Sequence, residues 1–195
     1  SDLILSPVMP EHLMPVIAKL EEIGVPVIEE AANILRIKPA EILKATDIDT
    51  MPHPGFPTDM QAPFMSLLAL AEGDSIINET VFENRLRHAS ELNRLGADIR
   101  VKGNSAFVRG VSELSGAPVE GTDLRAAAAM VVAALAASGE TTIKGLNYLD
   151  RGYDRLDLKL QKLGARIERL EDTEPEASTT EPKSSETNGT ASISN

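Results

Sequence analysis

Cysteine and tryptophan are both absent from the chain. Without cysteine there is no disulfide, no thiolate metal site and no thiol nucleophile. Aromatic residues make up only 3%, so any core must be built from Leu, Ile, Val, Ala and Met. Basic residues are outnumbered: 19 Lys and Arg against 30 Asp and Glu give a formal net charge of −11. Nucleic-acid binding rests on basic patches, and this chain is a poor candidate for it. Long apolar runs are missing too. The longest, Ala126–Ala137, is rich in alanine and too short to span a membrane. The N-terminus lacks a basic segment followed by an apolar run. A cytoplasmic protein is the expectation. No Walker motif, GxGxxG or GxSxG occurs. His12, His53 and His88 are far apart and lack ligand spacing, so neither a metal nor a cofactor is expected.

What is present is enough for one ordinary domain: 195 residues, 42% of them hydrophobic. The last 25, Glu171–Asn195, read EDTEPEASTTEPKSSETNGTASISN, with six acids, one Lys and Ile193 as the one large apolar residue. This composition does not bury enough surface to offset the entropy of ordering, and a disordered acidic tail is expected over residues 171–195. The tail carries −5 of the −11, leaving −6 on residues 1–170. An anionic ligand would then need a few well-placed Arg or Lys.

The remaining chain repeats itself. Leu20–Gly24 reads LEEIG, Leu92–Gly96 reads LNRLG and Leu160–Gly164 reads LQKLG. Each motif ends an amphipathic helix, and its glycine supplies the left-handed conformation frequent at helix C-termini. Strand-like runs follow at Val25–Ile28 and Ile34–Ile37, Asp98–Val101 and Ser105–Val108, and Arg166–Leu170. A second feature also recurs. Thr58-Asp59 opens an apolar helix to about Ala71, and Thr122-Asp123 opens another to about Ala137. Gly73 and Gly139 lead from these into β-prone Ser75–Ile77 and Thr141–Ile143. The unit is helix, strand, helix, strand, strand. Two copies are nearly complete and the first has only its second half. Helices apolar almost all round belong inside, between layers. An α/β fold of repeated units follows.

Three stretches have the residue types for chemistry. In PHPGFPTDMQ, Asp59 is either an N-cap of its helix or a carboxylate base delivered by a rigid proline-rich loop. In GTDLR, Asp123 is placed to cap a helix and Arg125 falls in its first turn. A cation there opposes the helix dipole, a small cost that makes sense if an anion binds at that end. Arg85 follows ETVFEN and Arg151 lies in LDRGY, both near helix starts. Three such arginines point to a phosphate or carboxylate site; the alternative is surface arginines paired with neighbouring acids.

At these same stretches the sequence resembles the enolpyruvyl transferases of bacterial cell-wall synthesis. PGFPTDMQAPFM, ETVFENR, LSGAPV, TDLRAAAAMVVAALAASGET and LDRGYDRLDLKLQKLGA carry the likeness, which runs in order through residues 1–170. It implies an inside-out α/β barrel domain built from βαβαββ repeats, the first incomplete here. It also implies transfer of the enolpyruvyl group of phosphoenolpyruvate to the 3′-hydroxyl of UDP-N-acetylglucosamine, with release of phosphate. Under it, Asp59 is the candidate base at the sugar hydroxyl. Thr58, Val81 and Phe82 lie near the nucleotide-sugar. Asp123 and Arg125 lie close to the reacting carbons, and Arg151 holds phosphoenolpyruvate. Arg85 belongs to the matched motif as a substrate-binding candidate.

The departure is also clear. The family's proton donor is a cysteine, or in some members an aspartate, on a mobile loop of the other domain. That loop and an N-terminal Lys-Asn pair have no counterpart here. A partial chain, inactive without an N-terminal half, is therefore expected. The competing reading is a stand-alone domain of the same descent that binds a ligand or partner without catalysis.

Overall fold

The computed structural model describes residues 2–170 and 190–194. The chain opens with strand β1 (Leu3–Leu5), helix α1 (Pro10–Glu22) and the hairpin β2 (Val27–Ala31) and β3 (Ile34–Ile37). The second unit is complete: β4 (Ile48–Asp49), α2 (Thr58–Leu68), β5 (Asp74–Asn78), α3 (His88–Arg94), β6 (Asp98–Lys102) and β7 (Ser105–Arg109). The third runs through β8 (Val119–Glu120), α4 (Leu124–Ala134), β9 (Glu140–Lys144), α5 (Leu146–Asp150), α6 (Leu156–Lys162) and β10 (Arg166–Leu170), and closes with β11 (Thr190–Ser194). Each unit forms its own sheet, and the strand order is the same in all three: β1-β3-β2, β5-β7-β6 and β9-β11-β10. Short β4 and β8 add parallel edge strands beside β5 and β9.

The repeated Leu-x-x-x-Gly motifs occupy equivalent helix ends. Gly24, Gly96 and Gly164 have φ of 94°, 94° and 97°. In each case the glycine N–H donates to the carbonyl three residues back, and the next N–H reaches Leu20, Leu92 or Leu160. This pair of bonds is the Schellman arrangement, which satisfies carbonyls that the helix end leaves free. It turns the chain sharply into the following strand, so one local rule sets the geometry three times.

Helices α2 and α4 form the interior. Almost every α4 side chain from Ala126 to Ala134 is buried, as are Phe64, Met65 and Leu68 of α2. The alanines let the two backbones approach. The Ser66 hydroxyl of α2 donates across the contact to the Ala129 carbonyl at 2.9 Å. Burial of a Phe, Met or Leu side chain is worth about 1.5–3 kcal/mol each. Phe64→Ala at this contact should cost about 3–5 kcal/mol. The sheets lie outside this helical centre, the reverse of a sheet covered by helices.

Several boundaries differ from the sequence reading. Helix α2 stops at Leu68 and α4 at Ala134, each three residues short of the expected end. The following residues tighten into three-residue bonds, Leu70 to Leu67 and Ala71 to Leu68. The amphipathic helix expected to end in LQKLG is α6, preceded by the unforeseen α5 and by Arg155 in the left-handed region at φ 44°. The larger correction concerns the tail. Residues 190–194 form a central strand, antiparallel to β10 on one side and to β9 on the other. Ala191 and Ile193 are 3% and 1% exposed and alternate with serines and Thr190. Composition averaged over 25 residues hid this five-residue alternation. The expectation for residues 171–189 lies outside the described residues.

Among the described residues no helix is long and apolar enough to cross a membrane.

Candidate active site

The two Thr-Asp motifs do different work. Asp123 is the N-cap of α4, and its Oδ1 accepts from the backbone N–H groups of Arg125 at 2.8 Å and Ala126 at 3.1 Å. Asp59 is not a cap. The N-cap of α2 is Pro57, which puts Thr58 and Asp59 in the first turn. The Asp59 carboxylate is therefore left for side-chain partners. A carboxylate in the first turn also suits the positive end of the helix dipole.

Those partners are two arginines. Arg125 donates through Nε to Asp59 Oδ1, and Arg85 Nη1 reaches the same oxygen at 3.2 Å. Arg85 Nη1 also donates to the Thr58 hydroxyl at 2.8 Å, and its guanidinium lies 4.1 Å from the centre of the Phe82 ring. Partial burial pushes the Asp59 carboxyl up, but the Arg125 and Arg85 contacts outweigh it and hold the group below its ordinary value. Arg125, awkward for its own helix dipole, is balanced by Asp59 in front and by the capping Asp123 behind.

A cavity of about 210 Å³ opens behind this pair, lined by Gln61, Ala62, Arg85, His88, Asp123 and Arg125. Gln61 and His88 are 1% and 4% exposed. Gln61 Nε2 and His88 Nε2 are buried with no hydrogen-bond partner among the described residues. Buried polar atoms are ordinarily satisfied, so two together beside two guanidinium groups mark a polar binding space. Burial pushes the His88 imidazole down to about 4, against the pull of the Asp123 charge and a hydrogen bond to the Arg85 backbone. His88 is thus neutral near pH 7. The cationic character of the cavity comes from its arginines.

The DRGY segment borders the same helix start. A Cβ on Gly152 would meet Leu124 Cδ1 at 2.7 Å, so a close approach of backbone to the first residue of α4 is built in. Tyr153 follows. Burial raises its phenol, the Asp59 charge raises it further and Arg125 opposes, so the ring lies within electrostatic reach of both. Tyr153 was not among the residues singled out from the sequence. Arg151 projects elsewhere: its guanidinium is 5.7 Å from the centre of the Tyr148 ring. The structure thus brings together Thr58, Asp59, Arg85, Asp123 and Arg125, and leaves Arg151 at the margin.

The ETVF segment is pinned by a residue also unforeseen. Glu79 is 2% exposed and accepts four hydrogen bonds: from the hydroxyls of Thr50 (2.9 Å) and Thr58 (2.7 Å), and from the backbone N–H groups of Val81 (3.0 Å) and Phe82 (3.1 Å). Val81 and Phe82 are held here through their backbones, and the Phe82 side chain remains 50% exposed.

Among the described residues no group of three His, Asp or Glu is arranged to hold a metal ion. The sequence profile of EPSP synthase (3-phosphoshikimate 1-carboxyvinyltransferase) matches residues 2–160. The chain belongs to the EPSP synthase family. Within that family it is 77% identical over 158 residues to UDP-N-acetylglucosamine 1-carboxyvinyltransferase of Nostoc sp., covering 81% of this chain and 35% of that protein. The protein of the same name in Gloeobacter violaceus is 61% identical over 157 residues, covering 80% and 34%. The chain spans about a third of the length of these relatives. The crystal structure of the enolpyruvyl transferase NikO from Streptomyces tendae superposes with a TM-score of 0.78 at 33% identity, over 84% of this chain and 39% of that one. EPSP synthase from Acinetobacter baumannii, at 16% identity, shares the fold with a TM-score of 0.62 over 93% of this chain and 39% of its own. The EPSP synthase fold accounts for the inside-out arrangement, with sheets around central helices.

Proposed function

We propose that this chain supplies the Asp59 side of an enolpyruvyl transfer site. The reaction moves the enolpyruvyl group of phosphoenolpyruvate to the 3′-hydroxyl of UDP-N-acetylglucosamine and releases phosphate. The reading is supported by the likeness to proteins named for that activity. The observation that carries it is the meeting of Asp59, Arg85 and Arg125 at the mouth of a cavity floored by unpartnered polar atoms.

The chemistry asks for these groups. As the sugar hydroxyl attacks C2 of phosphoenolpyruvate, a carboxylate must take its proton. In this addition C3 gains a proton as the new C2–O bond forms; in the elimination that follows C3 gives up a proton, the C2–C3 double bond re-forms and the C2–O bond to phosphate breaks. Asp59 is the candidate base. The carboxylate and phosphate of phosphoenolpyruvate need guanidinium donors, and Arg85 and Arg125 face the cavity that would receive one of them. Arg151 is assigned to phosphoenolpyruvate, reached by a change of rotamer away from Tyr148. Thr58, Val81 and Phe82 line the approach of the nucleotide-sugar. Asp123 acts mainly through the cap that fixes the start of α4 and with it Arg125.

Resting and working states differ in what the arginines hold. Without substrate they pair with Asp59 and keep it a weak base. An arriving anion competes for both guanidiniums. The contacts that lower Asp59 are then shared, while burial continues to raise it. Base strength would thus appear when substrate is bound.

The test is phosphate release that depends on UDP-N-acetylglucosamine, in a chain carrying the full length of the relatives. Asp59→Asn should lower kcat by about 100-fold or more with little change in KM for the nucleotide-sugar. Near-normal turnover would remove Asp59 from the chemistry. Ligand binding with no turnover in the wild-type full-length chain would favour the non-catalytic binding domain.

A further inference from the structure

Glu79 has no part in the roles assigned above, yet it is the most buried carboxylate near the site, at 2% exposure. Burying a carboxylate costs several kcal/mol unless its oxygens are satisfied. Here four donors satisfy it, and they are divided unequally. Oε1 takes Thr50, Val81 and Phe82, and Oε2 takes Thr58 alone. The Thr58 hydroxyl has one proton, and Glu79 Oε2 receives it. Toward Arg85, Thr58 then presents only lone pairs. Arg85 Nη1 donates to that oxygen at 2.8 Å and, from the same nitrogen, to Asp59 Oδ1 at 3.2 Å. A second route converges on the same guanidinium. The Phe82 backbone is held by Glu79, and the Phe82 ring lies 4.1 Å beneath Arg85.

We propose that Glu79 is a positioning residue: its buried carboxylate fixes the direction of the Thr58 hydroxyl and the place of Phe82, and together these hold Arg85 against Asp59. The role requires an acceptor with no proton to give. Glutamine has nearly the same shape, but it offers an NH₂ on one side. Turned toward Thr58, that NH₂ would donate to the hydroxyl and leave the Thr58 proton without its acceptor. Aspartate is one methylene shorter and would not reach Thr50 and Thr58 together. Thr50 is the internal control. Its hydroxyl donates to Oε1, not Oε2, and accepts from the Thr80 N–H, so its loss loosens that side of the anchor and leaves the Thr58 link to Oε2 in place.

The inference rests on the reading of Asp59 and Arg85 as part of the reacting centre, and the experiment keeps the two separable. The Asp59 carboxyl is titrated by carbon-13 NMR in the 195-residue chain, in wild type and in Glu79→Gln, Thr58→Val and Thr50→Val. Amide dispersion reports the fold of each variant. Glu79→Gln and Thr58→Val should both raise the Asp59 titration midpoint, because Arg85 is no longer held to it. Thr50→Val should leave the midpoint in place. If Glu79→Gln does not fold, Thr58→Val, near-isosteric, decides the Thr58 link. An unchanged midpoint in folded Thr58→Val or Glu79→Gln overturns the proposal. So does an equal rise in Thr50→Val, which would mean general loosening. In the full-length chain, Glu79→Gln should then lower kcat more than it raises KM. A shifted midpoint with normal turnover would leave the positioning role standing and sink the assignment of Asp59 to the chemistry.

Discussion

Arg125 donates through its Nε to the Asp59 carboxylate, joining the first turns of two central helices across 66 positions of sequence. The same guanidinium lines the cavity shared with Gln61 and His88. One cation thus faces a carboxylate of its own chain and a space fit for a ligand anion. Competition between them is measurable. Inorganic phosphate in the millimolar range should raise the Asp59 titration midpoint toward the ordinary carboxylate value. Arg125→Gln should raise the midpoint without phosphate and abolish most of the response to it. A midpoint indifferent to phosphate would mean that the cavity does not draw the arginine away.

His88 gives the fold a defined weakness to acid. Its folded value is pushed down to about 4 from an ordinary 6.5, first by burial. Between those limits the unfolded chain binds a proton that the folded chain refuses. Stability therefore rises with pH across that window. It is fully present above about 6.5 and lost as pH falls toward 4. The full shift corresponds to roughly 3 kcal/mol. Urea midpoints at pH 7 and pH 4.5 should differ clearly in wild type and much less in His88→Leu. Equal differences in the two proteins would place the acid sensitivity elsewhere.

How much of this was legible in the chain depends on the range of the interaction. The Schellman ends at Gly24, Gly96 and Gly164 are local, and the Leu-x-x-x-Gly spacing disclosed them. The all-apolar α4 announced its place in the centre. Asp59, Arg85 and Arg125 were each recognisable by type and by motif. Their meeting was not, because it depends on how α2 packs against α4. Arg151 shows another limit: its side chain turns to Tyr148, three residues back, a helical neighbour only once α5 is in place, and α5 was not foreseen. Glu79 and Tyr153 went unnoticed for a different reason. A buried glutamate looks in sequence like any surface acid, and only the convergence of Thr50, Thr58 and two backbone N–H groups distinguishes it. The pattern Thr-x-x-x-x-x-x-x-Thr ahead of Glu-Thr-Val-Phe is too sparse to have revealed that hub.

Strand β11 was the plain failure of composition, and it makes its own prediction. Ile193 is 1% exposed between Ile167 on β10 and Thr141 on β9. Truncating it leaves a hole between two strands that no other side chain fills. Ile193→Ala should cost about 2–5 kcal/mol by large-to-small core substitution. Ser192→Ala, on the outward side, should cost under about 1 kcal/mol. Chemical denaturation of both variants checks this. Equal, small effects would show that β11 adds little to the fold and return the segment to the tail.

The 195-residue chain by itself should give no sustained enolpyruvyl transfer. The reaction needs one group to take the hydroxyl proton and another to give a proton to C3, with water kept out while it does so. Asp59 can fill the first role. For the second, the titratable groups nearest the pair are unsuited. His88 is buried and neutral at pH 7. Burial raises the Tyr153 phenol above its ordinary value, making it a weaker acid still. The Asp123 Oδ1 is taken up by two backbone N–H groups as the cap of α4. No cysteine is present to serve instead. The Asp59 side chain is 64% exposed, so water reaches that carboxylate freely. Guanidinium contacts facing water are worth little, and phosphate should bind this chain only weakly. Purified chain, supplied with saturating phosphoenolpyruvate and UDP-N-acetylglucosamine, is assayed for phosphate release. The expected result is background release that does not depend on the nucleotide-sugar. Sustained turnover that does depend on it would mean that one of Tyr153, His88 or Asp123 delivers the proton, and single substitutions at those three positions would then identify which.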